Sequence, residues 1–176
     1  MGHESGQGVM GIEIERKFRV VGEGWRGQVV KSVRMAQGYI NDMAAMRDGR
    51  QNASVRVRIA GDQAFLNLKS RELGTTRQEF DYEIPVADAE ALLRLCVGGR
   101  IDKVRHYVEH AGRTFEVDEF AGENAGLIVA ELELESADAA YARPDWLGRE
   151  VTEEQRFYNL ALAERPYSRW SAVEQA

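Results

Sequence analysis

The sequence predicts an α+β protein that is mainly β: an eight-stranded antiparallel β-barrel with a charged interior and helices packed outside. Three observations carry this. Most of eight segments between residues 11 and 136 alternate apolar and polar side chains with the period of a strand. Turn signals separate several of them. The polar positions are nearly all ionic, with little of the Ser, Thr, Gln and Asn that an ordinary wet sheet face mixes in.

The predicted strands, in order, are 11–21, 33–42, 53–60, 63–70, 76–84, 100–110, 113–120 and 126–136. Asp48-Gly49, Gly61-Asp62, Ala111-Gly112 and Ala121-Gly122 mark turns between them. One helix is predicted over 88–96, with Asp88 as N-cap and Ala91, Leu92, Leu95 and Cys96 on one face. A second follows Thr152, where Thr-Glu-Glu-Gln resembles a capping box, and runs to about residue 164. Its late amphipathic position suits it to close one end of the barrel. Shorter helices are expected at 24–31 and 136–142, and Pro144 and Pro166 bound the C-terminal segments. Residues 1–10 read as a flexible Gly-rich lead-in, 11–170 as one domain and 171–176 as a tail.

Bulk properties narrow the function. A chain of 176 residues suits one domain with a real core. Its formal net charge of −6 argues against a general nucleic-acid binder, so any anion site must be local. The single cysteine, Cys96, allows no intrachain disulfide and lies in an apolar stretch, where it reads as a small buried hydrophobe. No apolar run reaches the roughly 18 residues of a membrane span, and the N-terminus lacks signal-peptide features. Cytoplasm is the expected location, without a membrane partner. A homodimer is neither required nor excluded.

Side chains two apart share a strand face. Glu13, Glu15 and Lys17 therefore lie together, as do Arg56 with Arg58, Asn67 with Lys69, and Glu79 with Asp81 and Glu83. The same holds for Lys103 with Arg105, Glu116 with Asp118, and Glu131 with Glu133 and Glu135. Acid is sorted to the first and last strands and paired cations to middle ones. A barrel with this face inward balances its own charge, whereas lone buried charges are intolerable. Such a lumen would bind a polyanion with a divalent metal: Arg and Lys on phosphate oxygens, carboxylates on Mg²⁺ or Mn²⁺.

Glu13-Ile14-Glu15-Arg16-Lys17 resembles the Glu-x-Glu-x-Lys signature of the CYTH superfamily, the triphosphate tunnel metalloenzymes. Its companions follow in order: Gln37-Gly38-Tyr39, Arg56-Val57-Arg58, Leu68-Lys69, Arg77-Gln78-Glu79, Lys103-Val104-Arg105, Phe115-Glu116-Val117-Asp118 and Glu131-Leu132-Glu133. The series spans roughly residues 11–165 and is most similar to short bacterial inorganic tripolyphosphatases. The resemblance implies triphosphate contacts at Lys17, Arg56, Arg58, Lys69, Arg77, Lys103 and Arg105. It implies metal ligation by Glu13, Glu15, Glu131 and Glu133, with Asp118 as a further ligand or a support behind them. The catalytic group it implies is Glu13, Glu15, Lys17 and Tyr39. Tyr39 either lies near the signature lysine or is a strand aromatic packed on a helix. Glu79 either ligates or neutralises neighbouring arginines, and Glu135 belongs at the tunnel mouth.

The expected reaction is metal-assisted phosphoryl transfer from a terminal phosphate to water, since no Ser-His-Asp or Cys-His set offers a covalent route. A class IV-type adenylate cyclase or a thiamine triphosphatase is the alternative on the same fold. The alternative of another class is a non-catalytic polyphosphate- or nucleotide-binding module. The acidic residues argue against that module, because a pure anion binder gains nothing from carboxylates beside its ligand.

Overall fold

The computed structural model describes residues 14–42, 44–45, 48–70, 79–136 and 138–175. Nine strands form one antiparallel sheet: β1 (Ile14–Val20), β2 (Val29–Tyr39), β3 (Ala53–Ala60), β4 (Gln63–Ser70), β5 (Glu79–Ile84), β6 (Ile101–His110), β7 (Arg113–Phe120), β8 (Ile128–Leu134) and β9 (Leu147–Glu150). Their order across the sheet is β5-β4-β3-β2-β6-β7-β8-β1-β9. The mainly β architecture thus matches the expectation, with a ninth strand in place of eight. Among the described residues the two edges, β5 and β9, are not paired with each other.

The extra strand is short and contains Gly148. A Cβ at that position would sit 2.8 Å from the Arg19 carbonyl oxygen, so only glycine lets β9 lie this close to β1. The chain at 24–31 is not a helix: one turn at Arg26–Gln28 leads straight into β2. Trp25, fully buried, anchors that turn on the sheet. Among the described residues of 136–142 there is no helix either. The first clear helix, α1 (Val86–Leu93), starts just after Pro85 and not at Asp88, as suits a proline whose ring cannot continue a helix interior. The second helical region begins as a single turn at Gln155–Phe157 and becomes α2 only at Asn159–Glu164; α3 spans Ala172–Gln175. Thr152 makes no capping box there. Its hydroxyl accepts from the Lys17 backbone N–H at 3.0 Å and donates to Glu150 at 2.8 Å.

Three apolar clusters hold the sheet. On the outer face Phe18, Phe115, Val117, Ala130 and Leu132 pack with Trp25 and Trp146. Farther along that face α1 lays Ala89 and Leu93 on Val57, Ile59 and Ala64. Gly38 permits this approach, since a Cβ there would meet Cys96 Sγ at 2.7 Å. Cys96 is half-buried at the edge of this cluster, and burial pushes its thiol up.

The third cluster departs from the expectation that all helices pack outside. Phe120 is paired with Lys103, and Val129 with Asp118, so these apolar residues lie on the charged face. Phe157, Leu162, Ala163 and Trp170 cover them. The C-terminal segment therefore packs over one end of the inner face. No helix among the described residues is long and apolar enough to cross a membrane.

Candidate active site

Cross-strand pairing decides which charged residues share a face, because directly opposed residues in an antiparallel ladder point the same way. Lys17 on β1 opposes Glu131 on β8, and Glu15 opposes Glu133. Glu131 opposes Glu116 on β7. On β6, Arg105 opposes Asp118 and Tyr107 opposes Glu116. Beyond β6, Gln37 on β2 opposes Arg58, and Tyr39 opposes Arg56. Arg56 opposes Asn67, and Asn67 and Lys69 oppose Asp81 and Glu79. The ionic positions read strand by strand thus form one continuous inner face. Glu13 and Arg77 lie outside the described residues.

The face has two ends with different chemistry. A cavity of about 690 Å³ is lined by Glu15, Glu116, Glu131, Glu133 and Glu135, with Arg105, Tyr107 and Arg113 among them. Lys17, with only 6 % of its side chain exposed, is ion-paired to both Glu15 and Glu131. Burial works to lower its pKa, and the two carboxylates more than offset this, so it is raised. Arg105 donates to both Asp118 oxygens at 2.7 Å and to Glu131 at 2.7 Å, and also pairs with Glu116. Glu135 lies at the mouth, where it accepts from Arg113 at 2.8 and 2.9 Å.

Toward β3 and β4 the cations are less matched. Among the described residues the buried Nε atoms of Arg56 and Arg58 have no hydrogen-bond partner, and neither has the side-chain amide nitrogen of Gln37. Arg58 is 4.0 Å from Asp81. Lys69 pairs with Glu79 at 3.0 Å, and Glu79 also accepts from Asn67 at 2.8 Å. Glu79 therefore neutralises a lysine here. Buried donors left without acceptors cost stability unless something fills them, and an anion with several oxygens meets that need.

Two carboxylates on β7 lie at different depths. Asp118 is 1 % exposed and held by Lys103 and Arg105. Burial pushes its carboxyl up, but the two cations hold it below the usual carboxylate range. It is absent from the cavity lining. Glu116, two residues away on the same face, lines the cavity and is 35 % exposed. Burial raises its pKa first; Arg105 draws it back, and Glu131 and Asp118 push it up again. The period of two placed both on this face but could not tell the rim from the floor.

Tyr39 is bonded to Arg56, and burial raises its phenol above the ordinary value. It borders a small pocket with Leu160 and Ala163 of α2, which favours the helix-packing reading of this aromatic. The ring against Lys17 is Tyr158, whose centroid is 4.7 Å from Nζ. Neither Tyr158 nor Thr152 carries a sequence signal linking it to β1, because the link is a tertiary contact.

The acidic end suits a hard divalent cation. Its donors are carboxylate oxygens, and Glu116, raised first by burial and further by Glu131 and Asp118, is a carboxylate that such a cation would stabilise in its charged form. Among the described residues no three of these carboxylates converge on a single point. Lys17 and Arg105 stand between them.

Comparison with known proteins agrees with this geometry. The CYTH domain matches residues 11–166. An inorganic triphosphatase of Acetivibrio thermocellus is 43 % identical over 159 residues, covering 90 % of this chain and 97 % of that one. One from Nitrosomonas europaea is 38 % identical over 158 residues, covering 86 % and 96 %. A crystal structure of an inorganic triphosphatase superposes with a TM-score of 0.72 at 36 % identity, over 89 % of this chain and 97 % of that one. With the family matched across nearly all of the sheet that carries the charged face, the chain belongs to the CYTH domain family.

Proposed function

We propose that this chain is a metal-dependent inorganic triphosphatase, hydrolysing tripolyphosphate to pyrophosphate and phosphate by in-line attack of water on a terminal phosphorus. One observation carries the reading furthest. A single sheet face holds buried Nε atoms of Arg56 and Arg58 that have no hydrogen-bond partner among the described residues and, beyond β2, a cavity lined by carboxylates of β1, β7 and β8. An anion binder needs only the first, and a metal-assisted phosphoryl-transfer enzyme needs both. The identity to proteins named inorganic triphosphatase, 43 % and 38 %, supports the choice of substrate.

Arg56, Arg58, Lys69, Arg77 and Lys103 would hold phosphate oxygens, the arginines by bidentate pairing. Lys17 and Arg105, ion-paired among the carboxylates, would contact the transferred phosphoryl group. Glu13, Glu15, Glu131 and Glu133 would hold Mg²⁺ or Mn²⁺, joined by Glu116 at the rim. Asp118 serves instead to fix Lys103 and Arg105. The bound ion would supply neutralisation of charge on the phosphate oxygens and acidity to the attacking water. The protein's own contribution is a fixed set of cations that needs no reorganisation as charge moves to the leaving oxygen.

Incubation with tripolyphosphate, thiamine triphosphate and ATP, each with Mg²⁺, Mn²⁺ or chelator, tests the reading. Phosphate and pyrophosphate from tripolyphosphate, only with metal, is the expected result. Cyclic AMP from ATP, preferred cleavage of thiamine triphosphate, or no product at all contradicts it.

A further inference from the structure

Lys17 is gripped from the C-terminal side of the chain as well as by its ion pairs. Its backbone N–H donates to Thr152 Oγ1 at 3.0 Å, and its carbonyl accepts from Val151 N–H at 2.8 Å. The Tyr158 hydroxyl donates to the Thr152 carbonyl at 2.8 Å, which fixes the ring's orientation. That ring lies 4.7 Å from Lys17 Nζ, within the distance at which an aromatic face attracts a cation. One short stretch, Val151 to Tyr158, therefore sets both the main chain and the side chain of this lysine.

The two other partners of the ammonium are Glu15 and Glu131. Both are proposed metal donors, and a divalent cation would compete with Lys17 for their charge. The Tyr158 ring face binds no hard cation, so it is the partner that metal loading leaves in place. We propose that Tyr158 is a positioning residue for Lys17, holding its ammonium in the lumen at the point where the triphosphate is bound. The role rests on the triphosphatase reading above.

Tyr158→Phe keeps the ring face and removes the tether, whereas Tyr158→Leu keeps apolar bulk and removes the ring face. The Leu variant is expected to lose about three- to tenfold in kcat/KM for tripolyphosphate, the scale of one cation–π contact. The Phe variant is expected to retain at least half of the activity, and the metal concentration for half-maximal rate should be unchanged in both. Tyr158→Met serves as a second ring-free replacement if the Leu variant fails to fold. An activity-independent readout is the Lys17 ε-methylene resonance in NMR spectra of labelled protein. It should be shifted upfield by the ring in wild type and in the Phe variant, and unshifted in the Leu variant. Equal activity of the Phe and Leu variants, or an unshifted resonance in wild type, overturns the proposal. Shifted resonances in a wild-type protein without turnover overturn the triphosphatase reading, and the positioning role falls with it while the contact stands.

Discussion

Asp118 and Glu116 sit two residues apart on one face of β7, and their pKa values move in opposite directions. Asp118 is lowered, so its contribution to stability is fully present above the ordinary aspartate pKa of about 3.9. That contribution is lost as pH falls through the lower folded value. Asp118→Asn leaves Lys103, 4 % exposed, as an uncompensated buried charge, which costs about 3–5 kcal/mol. Denaturant unfolding of the variant should show that loss together with a flatter acid limb, and its metal activation constant should match wild type. Glu116→Gln should do the reverse, weakening metal activation with little loss of stability. A shifted metal constant in the Asp118 variant alone would restore Asp118 as a ligand. Glu131→Ala removes a carboxylate bonded to both Lys17 and Arg105. A fall in kcat of about a hundredfold or more is expected, the scale of losing one preorganised electrostatic group. Near-normal turnover in a folded variant would sink the assignment.

Element by element, the strands were the most legible part of the chain. Runs such as Arg56-Val57-Arg58 and Glu131-Leu132-Glu133 alternate charge and hydrocarbon without interruption, and each lies within a strand. Strand β9 is not legible in sequence, because four residues that include a glycine carry no periodic signal and its pairing to β1 spans a long separation along the chain. At 24–31, where a short helix is expected, burial of the Trp25 indole decides the course of the chain. Thr152 shows most clearly how a local rule fails. Its capping-box neighbours are present, but β1 offers its hydroxyl a backbone N–H and so competes with the helix end. The same segment is held by Trp170, which meets Phe157 edge-on at 5.1 Å. Trp170→Ala should cost about 3–5 kcal/mol in denaturant unfolding. It should also lower kcat/KM, because Tyr158 lies on the chain it anchors. A loss below about 1 kcal/mol would show that the C-terminal segment is docked by other contacts.

Over the whole molecule, a chain with net charge −6 presents one face where cations and carboxylates are sorted into neighbouring groups. That sorting was visible in sequence because strand period and charge coincide. What sequence could not give was depth, which separates Glu116 at the rim from Asp118 beneath it. We propose that the carboxylate end serves a divalent cation and the guanidinium end a triphosphate, with water attacking a terminal phosphorus. Hydrolysis of tripolyphosphate in ¹⁸O-labelled water, followed by ³¹P NMR with Mg²⁺ and again with chelator, tests this most directly. Metal-dependent turnover with the label in orthophosphate and none in pyrophosphate is the expected result. Label in pyrophosphate, or turnover that survives the chelator, would contradict it.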